Sequence, residues 1–161
     1  RKIFGGLEAY GQVWRTGANG ATTLNFTDEV TFGGKTVPAG KYALFTIPTA
    51  NEWIIILSKN TNQWGAYAYK ESEDLLRLTM KPIVNKNFVE TLTIGFSDVK
   101  AGSMSLDIAW ENTLIAIPLT VDYDAKVMAN IEKAMAGDKK PYFAAAQYYY
   151  ENGKDIKKAL A

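Results

Sequence analysis

From Ala21 to Val121 apolar and polar positions alternate with a dominant period of two. ATTLNF, EVTF, KYALFTI, EWIIILS, AYAY, LLRLTM, VETLTIGF, MSLDIAW and TLIAIPLTV are rich in β-branched and aromatic residues and bounded by Gly, Asn, Asp and Pro. This pattern predicts about nine strands. Leu92, Ile94 and Phe96 share one face of their run, with Thr91 and Thr93 on the other. Met104, Leu106, Ile108 and Trp110 repeat that one-sidedness. KYALFTI and EWIIILS are apolar on both faces and are expected as central strands covered on both sides. Gly33-Gly34 can supply the positive φ of a tight hairpin, and Pro38-Ala39-Gly40 a further turn.

After Val121 the period changes. Asp124 is placed to cap a helix with Val127, Ile131 and Met135 on one face, ending near Gly137. Pro141 opens a second helix, FAAAQYYYEN, which Gly153 stops, and Asp155 starts a third, IKKALA. The fold expected is α+β, mainly β. An antiparallel β-sandwich or partly closed barrel occupies residues 1–121, and a C-terminal helical tail follows over 122–161. The tail is expected to pack on the β domain through Val127, Ile131, Met135, Phe143 and some of Tyr148–Tyr150, because helices this short are marginal alone.

Composition narrows the chemistry. The 161 residues carry 18 basic and 17 acidic side chains, a net charge of +1, which gives no basic field for nucleic acid. Phosphate-cradling Gly-rich loops and RNA-binding aromatic motifs are absent from the sequence. Cysteine and histidine are missing, so a Ser-His-Asp triad, an imidazole shuttle and the usual zinc, haem and iron–sulfur ligands are excluded. No cofactor and no tightly bound transition metal are expected. Catalysis would have to rest on carboxylate pairs, Lys, Tyr or an activated Ser or Thr. No run reaches the roughly 18 apolar residues of a membrane span. The opening Arg1-Lys2-Ile3-Phe4-Gly5-Gly6 has neither Met nor an apolar leader, so the natural start is expected upstream.

The stretch VWRTGANGATT carries the first candidate site. Trp14 and Arg15 should point to opposite faces of a short extended segment, Trp14 toward the core. The Arg15 guanidinium can clamp a carboxylate or phosphate bidentately, with Thr16, Asn19 and the turn's backbone N–H groups nearby. Otherwise it pairs with a carboxylate inside the fold, Glu111 or Asp107, as a structural clamp; the clamp is the expectation. The second constellation is aromatic: Trp64, Tyr67 and Tyr69, if they line one concave face, could stack on sugar or aryl rings. The acidic groups Glu71/Glu73/Asp74 and Asp122/Asp124 are the carboxylate clusters a glycosidase would need to draw on, although ESEDLL reads as an exposed turn entering a strand. Ser58-Lys59 and Ser97-Asp98 point to opposite faces, and Tyr148–Tyr150 diverge around a helix.

RKIFGGL, VWRTGANGATT, the VPAGKYALFTIP hairpin, EWIIILSKNTNQWGAYAY and the YYYENGKDIKKAL tail together resemble the DUF2911 family, bacterial proteins common in Bacteroidetes. The resemblance covers nearly the whole chain. It implies an export signal and a strand before Arg1, a periplasmic or secreted location, and no particular activity. An acidic residue commonly stands in the family where Gly20 stands here. In the tail, Ala146, Tyr149, Tyr150, Gly153 and Ala159 resemble one tetratricopeptide-like helix pair, with one residue too many between Gly153 and Ala159. The function expected is a non-catalytic recognition domain of the cell envelope, with a small molecule, glycan or protein as partner. A carboxylate-based hydrolase acting on glycans is one alternative. A structural module docking partners through its tail is another.

Overall fold

The period-two region forms eight strands in two antiparallel four-stranded sheets that do not close into a barrel. The structure, a computed structural model, describes residues 2–159. Expectations resting on Arg1, on the end of IKKALA at Leu160 and Ala161, and on the side chains of Ile156 and Ala159 lie outside the described residues. One sheet joins β1 (Thr22–Phe26), β4 (Gly40–Pro48), β5 (Trp53–Ser58) and β6 (Asp74–Met80) in the order β1-β4-β5-β6. The other joins β2 (Val30–Phe32), β3 (Lys35–Val37), β7 (Ile83–Lys100) and β8 (Ser103–Thr120) in the order β3-β2-β8-β7. The β2–β3 hairpin turns on Gly33 and Gly34, with φ of 57° and 82°, the doubly left-handed turn that suits strand twist.

Both faces of the central strands are covered. Tyr42, Leu44, Trp53, Ile55 and Leu57 form the core with Phe32, Val37, Leu106, Ile108, Ile115 and Ile117 of the other sheet. Ala43, Phe45 and Ile56, on the opposite face, make a second cluster with Val13, Ala21, Ala66 and Tyr69 packed on it. Loops, not a third sheet, cover that face.

Two strand expectations need correction. MSLDIAW and TLIAIPLTV are one 18-residue strand, β8. Its buried positions are even-numbered up to Ile108 and odd-numbered from Ile115. The change of phase centres on Glu111, which takes φ 50° and faces Val89 where the β7–β8 register shifts. The left-handed residue breaks the alternation, so every later side chain turns to the other face. The residues without a partner at this irregularity lie on β7, where Val89 to Thr93 faces Glu111 to Ala109 of β8. AYAY is not a strand: residues 65–68 form a turn. Gly65 is held at φ 66° there, with the Tyr67 ring over it.

The chain divides into two compact units, Arg1–Val121 and Asp122–Ala161. In the second, α1 (Asp124–Met135), α2 (Tyr142–Glu151) and α3 (Ile156–Ala159) follow the predicted periods. Gly153 at φ 61° ends α2, its N–H donating to Tyr150 O and that of Lys154 to Tyr149 O at 2.8 Å, the paired bonds of a Schellman cap. Asp124 does not cap α1; Tyr123 occupies that position. The Asp124 carboxylate instead accepts from Tyr148 Oη at 2.7 Å and Lys154 Nζ at 2.6 Å, tying the start of α1 to the end of α2. Those two hydrogen bonds, Lys154 first, hold its carboxyl below the usual range.

Two outcomes are expected. Inserting one alanine after Glu111 should abolish cooperative urea unfolding, since Ile115, Ile117 and Leu119 then fall out of phase and turn outward. Glu111→Gly should retain or raise stability by up to about 1 kcal/mol by relieving a left-handed side-chain residue. A cooperatively folded insertion variant would refute the role of the phase change. In the helical unit, Asp124 contributes stability above the ordinary carboxylate pKa and loses it as pH falls through the lowered value. Lys154→Met should therefore reduce helicity near neutral pH by circular dichroism, and the difference should vanish in acid.

Candidate functional site

The edge of β4 explains VWRTGANGATT. Trp14 N–H donates to Thr46 O at 2.8 Å and Thr46 N–H to Trp14 O at 2.9 Å, while Thr22 pairs with Leu44. The chain thus meets the same edge twice, and residues 15–21 leave the sheet between the two contacts. Thr22 Oγ1 closes the excursion by donating to Thr16 O at 2.7 Å. Backbone bonds stitch its far side to the next loop: Ala21 N–H to Gln63 O at 3.0 Å and Gly65 N–H to Asn19 O at 3.0 Å. Thr16 is fully buried at φ 53°, its hydroxyl donating to Thr46 Oγ1 at 3.1 Å. A β-branched residue there is strained and persists because its surroundings hold it. At Gly20 an added Cβ would meet nothing nearer than Gln63 O at 3.9 Å.

Arg15 sits where the chain leaves the sheet. It is half-buried, and its Nε is buried without an acceptor. The expected clamp to Glu111 or Asp107 is absent: Asp107 accepts from Ser105 Oγ at 2.6 Å, and Glu111 stands left-handed at the β7–β8 irregularity. The carboxylate that feels Arg15 is Glu8. Burial pushes the Glu8 carboxyl up, and the charge of Arg15 pulls it partly back. Both line a cleft of about 650 Å³ with Leu7, Gly17, Ala18, Glu90, Thr91, Leu92 and Trp110. Trp110 belongs to a ring cluster with Phe4, Trp14 and Trp53. Its ring stacks on Trp14 at 6.1 Å and 27°, and its Nε1 donates to Glu90 O at 3.0 Å. Phe4 meets Trp53 edge-on at 4.8 Å. The cleft therefore has an aromatic wall, and at Arg15 a half-buried cation whose buried Nε has no acceptor.

The remaining sequence candidates do not gather there. Trp14 is buried in the core. Thr16 is occupied with structure, and Asn19 is exposed on the stitched loop. Trp64 and Tyr67 are 68% and 90% exposed on the neighbouring turn. Tyr69 turns away from them: its ring packs on Phe45 at 5.2 Å, and its Oη donates to Asp74 Oδ2 at 2.6 Å. Arg77 Nε donates to the same oxygen at 2.9 Å, and its other nitrogens reach Tyr69 Oη and Glu71. The ESEDLL expectation holds for Glu71, which is exposed, but the Asp74 side chain is nearly buried, at 8% exposure. Burial, then the bond to Asp74, pushes the Tyr69 phenol up to about 12. The structural arginine is thus Arg77.

Glu8, Leu7, Glu90 and Thr91 were not singled out by the sequence. Leu7 and Glu8 lie in GGLEAY, which has no period, and nothing in the spacing links them to residues 15, 90 and 110. Among the described residues, no three acidic side chains are grouped so as to hold a metal ion.

A family model described as a protein of unknown function, DUF2911, matches residues 1–119. No curated protein and no solved structure matches the chain. The matched span takes in the whole cleft and ends within β8, ahead of the helical unit.

Asp74→Ala should lower stability by about 1–3 kcal/mol in urea, because Arg77 and Tyr69 lose a shared buried acceptor. Asp74→Asn should be milder, since its amide oxygen still accepts. The late-titrating phenol, identified by its loss in Tyr69→Phe, should move down from about 12 in Asp74→Ala. An unchanged unfolding midpoint together with an unchanged titration would refute the clamp.

Proposed function

The chain belongs to the DUF2911 family, and on that premise we propose that it is a non-catalytic ligand-recognition β domain whose binding site is the Arg15–Trp110 cleft. One observation carries this reading: the Arg15 Nε is buried without an acceptor in a cleft of about 650 Å³ walled by a stacked tryptophan. Ligand sites are concave, mostly apolar, and provided with few placed polar groups; Leu7, Leu92 and Trp110 supply the apolar part, Arg15, Glu8 and Thr91 the polar part. The partner is a small molecule or glycan. We place the protein in the periplasm or outside the cell, supported by the export signals typical of the family. No helix among the described residues is long and apolar enough to cross a membrane.

Hydrolysis of a glycan is the second reading, favoured by two carboxylates, Glu8 and Glu90, lining one cleft. Docking of a partner protein by the helical unit is favoured by Tyr142, Phe143 and Tyr150, which stand 58%, 83% and 77% exposed.

A thermal-shift screen against glycans and short peptides tests the reading. A cleft ligand at about 100 times its Kd should stabilise the protein by about 2.7 kcal/mol. Leu7→Glu should abolish that shift without changing the unliganded Tm, since Leu7 is exposed at the cleft. A ligand whose shift survives Leu7→Glu binds elsewhere and sinks the assignment. Release of reducing ends that disappears in Glu8→Gln would establish the hydrolase instead.

A further inference from the structure

We propose that the cleft recognises a hexuronate residue of a glycan: Arg15 takes the sugar carboxylate and Trp110 stacks on the ring, with the Glu8 carboxylate in the same cleft opposing the ligand's charge. This rests on the recognition reading above. The carboxylate follows from Arg15. Its planar fork matches a carboxylate bidentately, and the described residues offer its buried Nε no acceptor. A neutral oxygen acceptor would satisfy the donor but leave the half-buried charge without a counter-ion, which a carboxylate supplies.

The rest of the lining limits the anion's charge. Glu8 and Glu90 share the cleft with Arg15, so a phosphate dianion or polyanion would face two carboxylates against one guanidinium. A monoanion held directly on Arg15 meets the least of this repulsion, and each further charge is repelled more. Those same carboxylates and the Thr91 hydroxyl are suited to accept from sugar hydroxyls. The Trp110 face is suited to the apolar side of a pyranose. Glu8 lies near enough to be pulled by Arg15, yet burial holds its carboxyl up. It shares the cleft with Arg15 without forming an ion pair to it, so an incoming carboxylate meets the charge of Glu8 but has no bond to break.

The test is calorimetric titration of the full chain with glucuronate- and galacturonate-containing oligosaccharides and with the same oligosaccharides carboxyl-reduced to the alcohol. The acidic form should bind about tenfold or more tightly than the reduced form, as expected for a charged hydrogen-bonded pair. Arg15→Met should erase the difference and Arg15→Lys should recover part of it. Glu8→Gln should tighten binding of the acidic form several-fold and leave that of the reduced form unchanged, because it removes a like charge from the cleft. The comparison of acidic and reduced sugars needs no variant, so it stands even if a substitution unfolds the chain. Equal binding of both forms, unmoved by Arg15→Met, overturns the inference and leaves the recognition reading intact. Binding of peptides with a free C-terminal carboxylate, but of no uronate, overturns the sugar assignment. No binding of any glycan or peptide overturns both.

Discussion

The two central strands, β4 and β5, are apolar on both faces, and the rest of the β unit is arranged to keep both faces from water. One face is met by the second sheet. The other is met by the segments around residues 13–21 and 64–69, which bring Val13, Ala21, Ala66 and Tyr69 onto Phe45 and Ile56. Irregular chain over an apolar sheet must still pair its backbone groups. It does so by bonding to the β4 edge at Trp14 and by bonding loop to loop through Asn19, Ala21, Gln63 and Gly65. Arg15 owes its position to this covering duty, because it is the first residue after the chain leaves the β4 edge.

The fold was legible where a local rule decides it. Period two gave the sandwich, the run of Val127, Ile131 and Met135 gave α1, and Pro141 and Gly153 bracketed α2. The double-sided runs were rightly placed at the sheet centre. The sequence misled where a three-dimensional neighbour decides. AYAY has the residues of a strand, but Gly65 turns it. MSLDIAW and TLIAIPLTV read as two strands because their apolar phases differ, and the phase change is itself the trace of the left-handed break at Glu111.

The candidate site was half legible. Arg15 was found because an arginine before a Gly/Asn turn is locally unusual. Its surroundings were not, because Glu8, Glu90 and Trp110 converge through tertiary packing with no shared period. The expected carboxylate partner was sought near Trp110 in sequence, at Asp107 and Glu111. The carboxylate whose charge reaches Arg15, Glu8, lies instead in the N-terminal segment that Phe4 anchors among the tryptophans, and it makes no ion pair with Arg15. The structural clamp exists too, but at Arg77, Asp74 and Tyr69.

The fasteners of the 15–21 excursion are mostly main-chain groups, and any residue except proline carries the same N–H and C=O. Drift in the side chains of Ala18 and Gly20 therefore leaves the stitching in place, whereas a Cβ at Gly17 would meet the Thr22 hydroxyl at 2.8 Å. Gly20 is the clearest case: it is exposed, and a Cβ there would meet only an ordinary contact with Gln63 O at 3.9 Å. Homologues can place a charged group at that position without rebuilding the scaffold. Selection could thus diversify what the rim of this cleft admits while the domain beneath it stays constant.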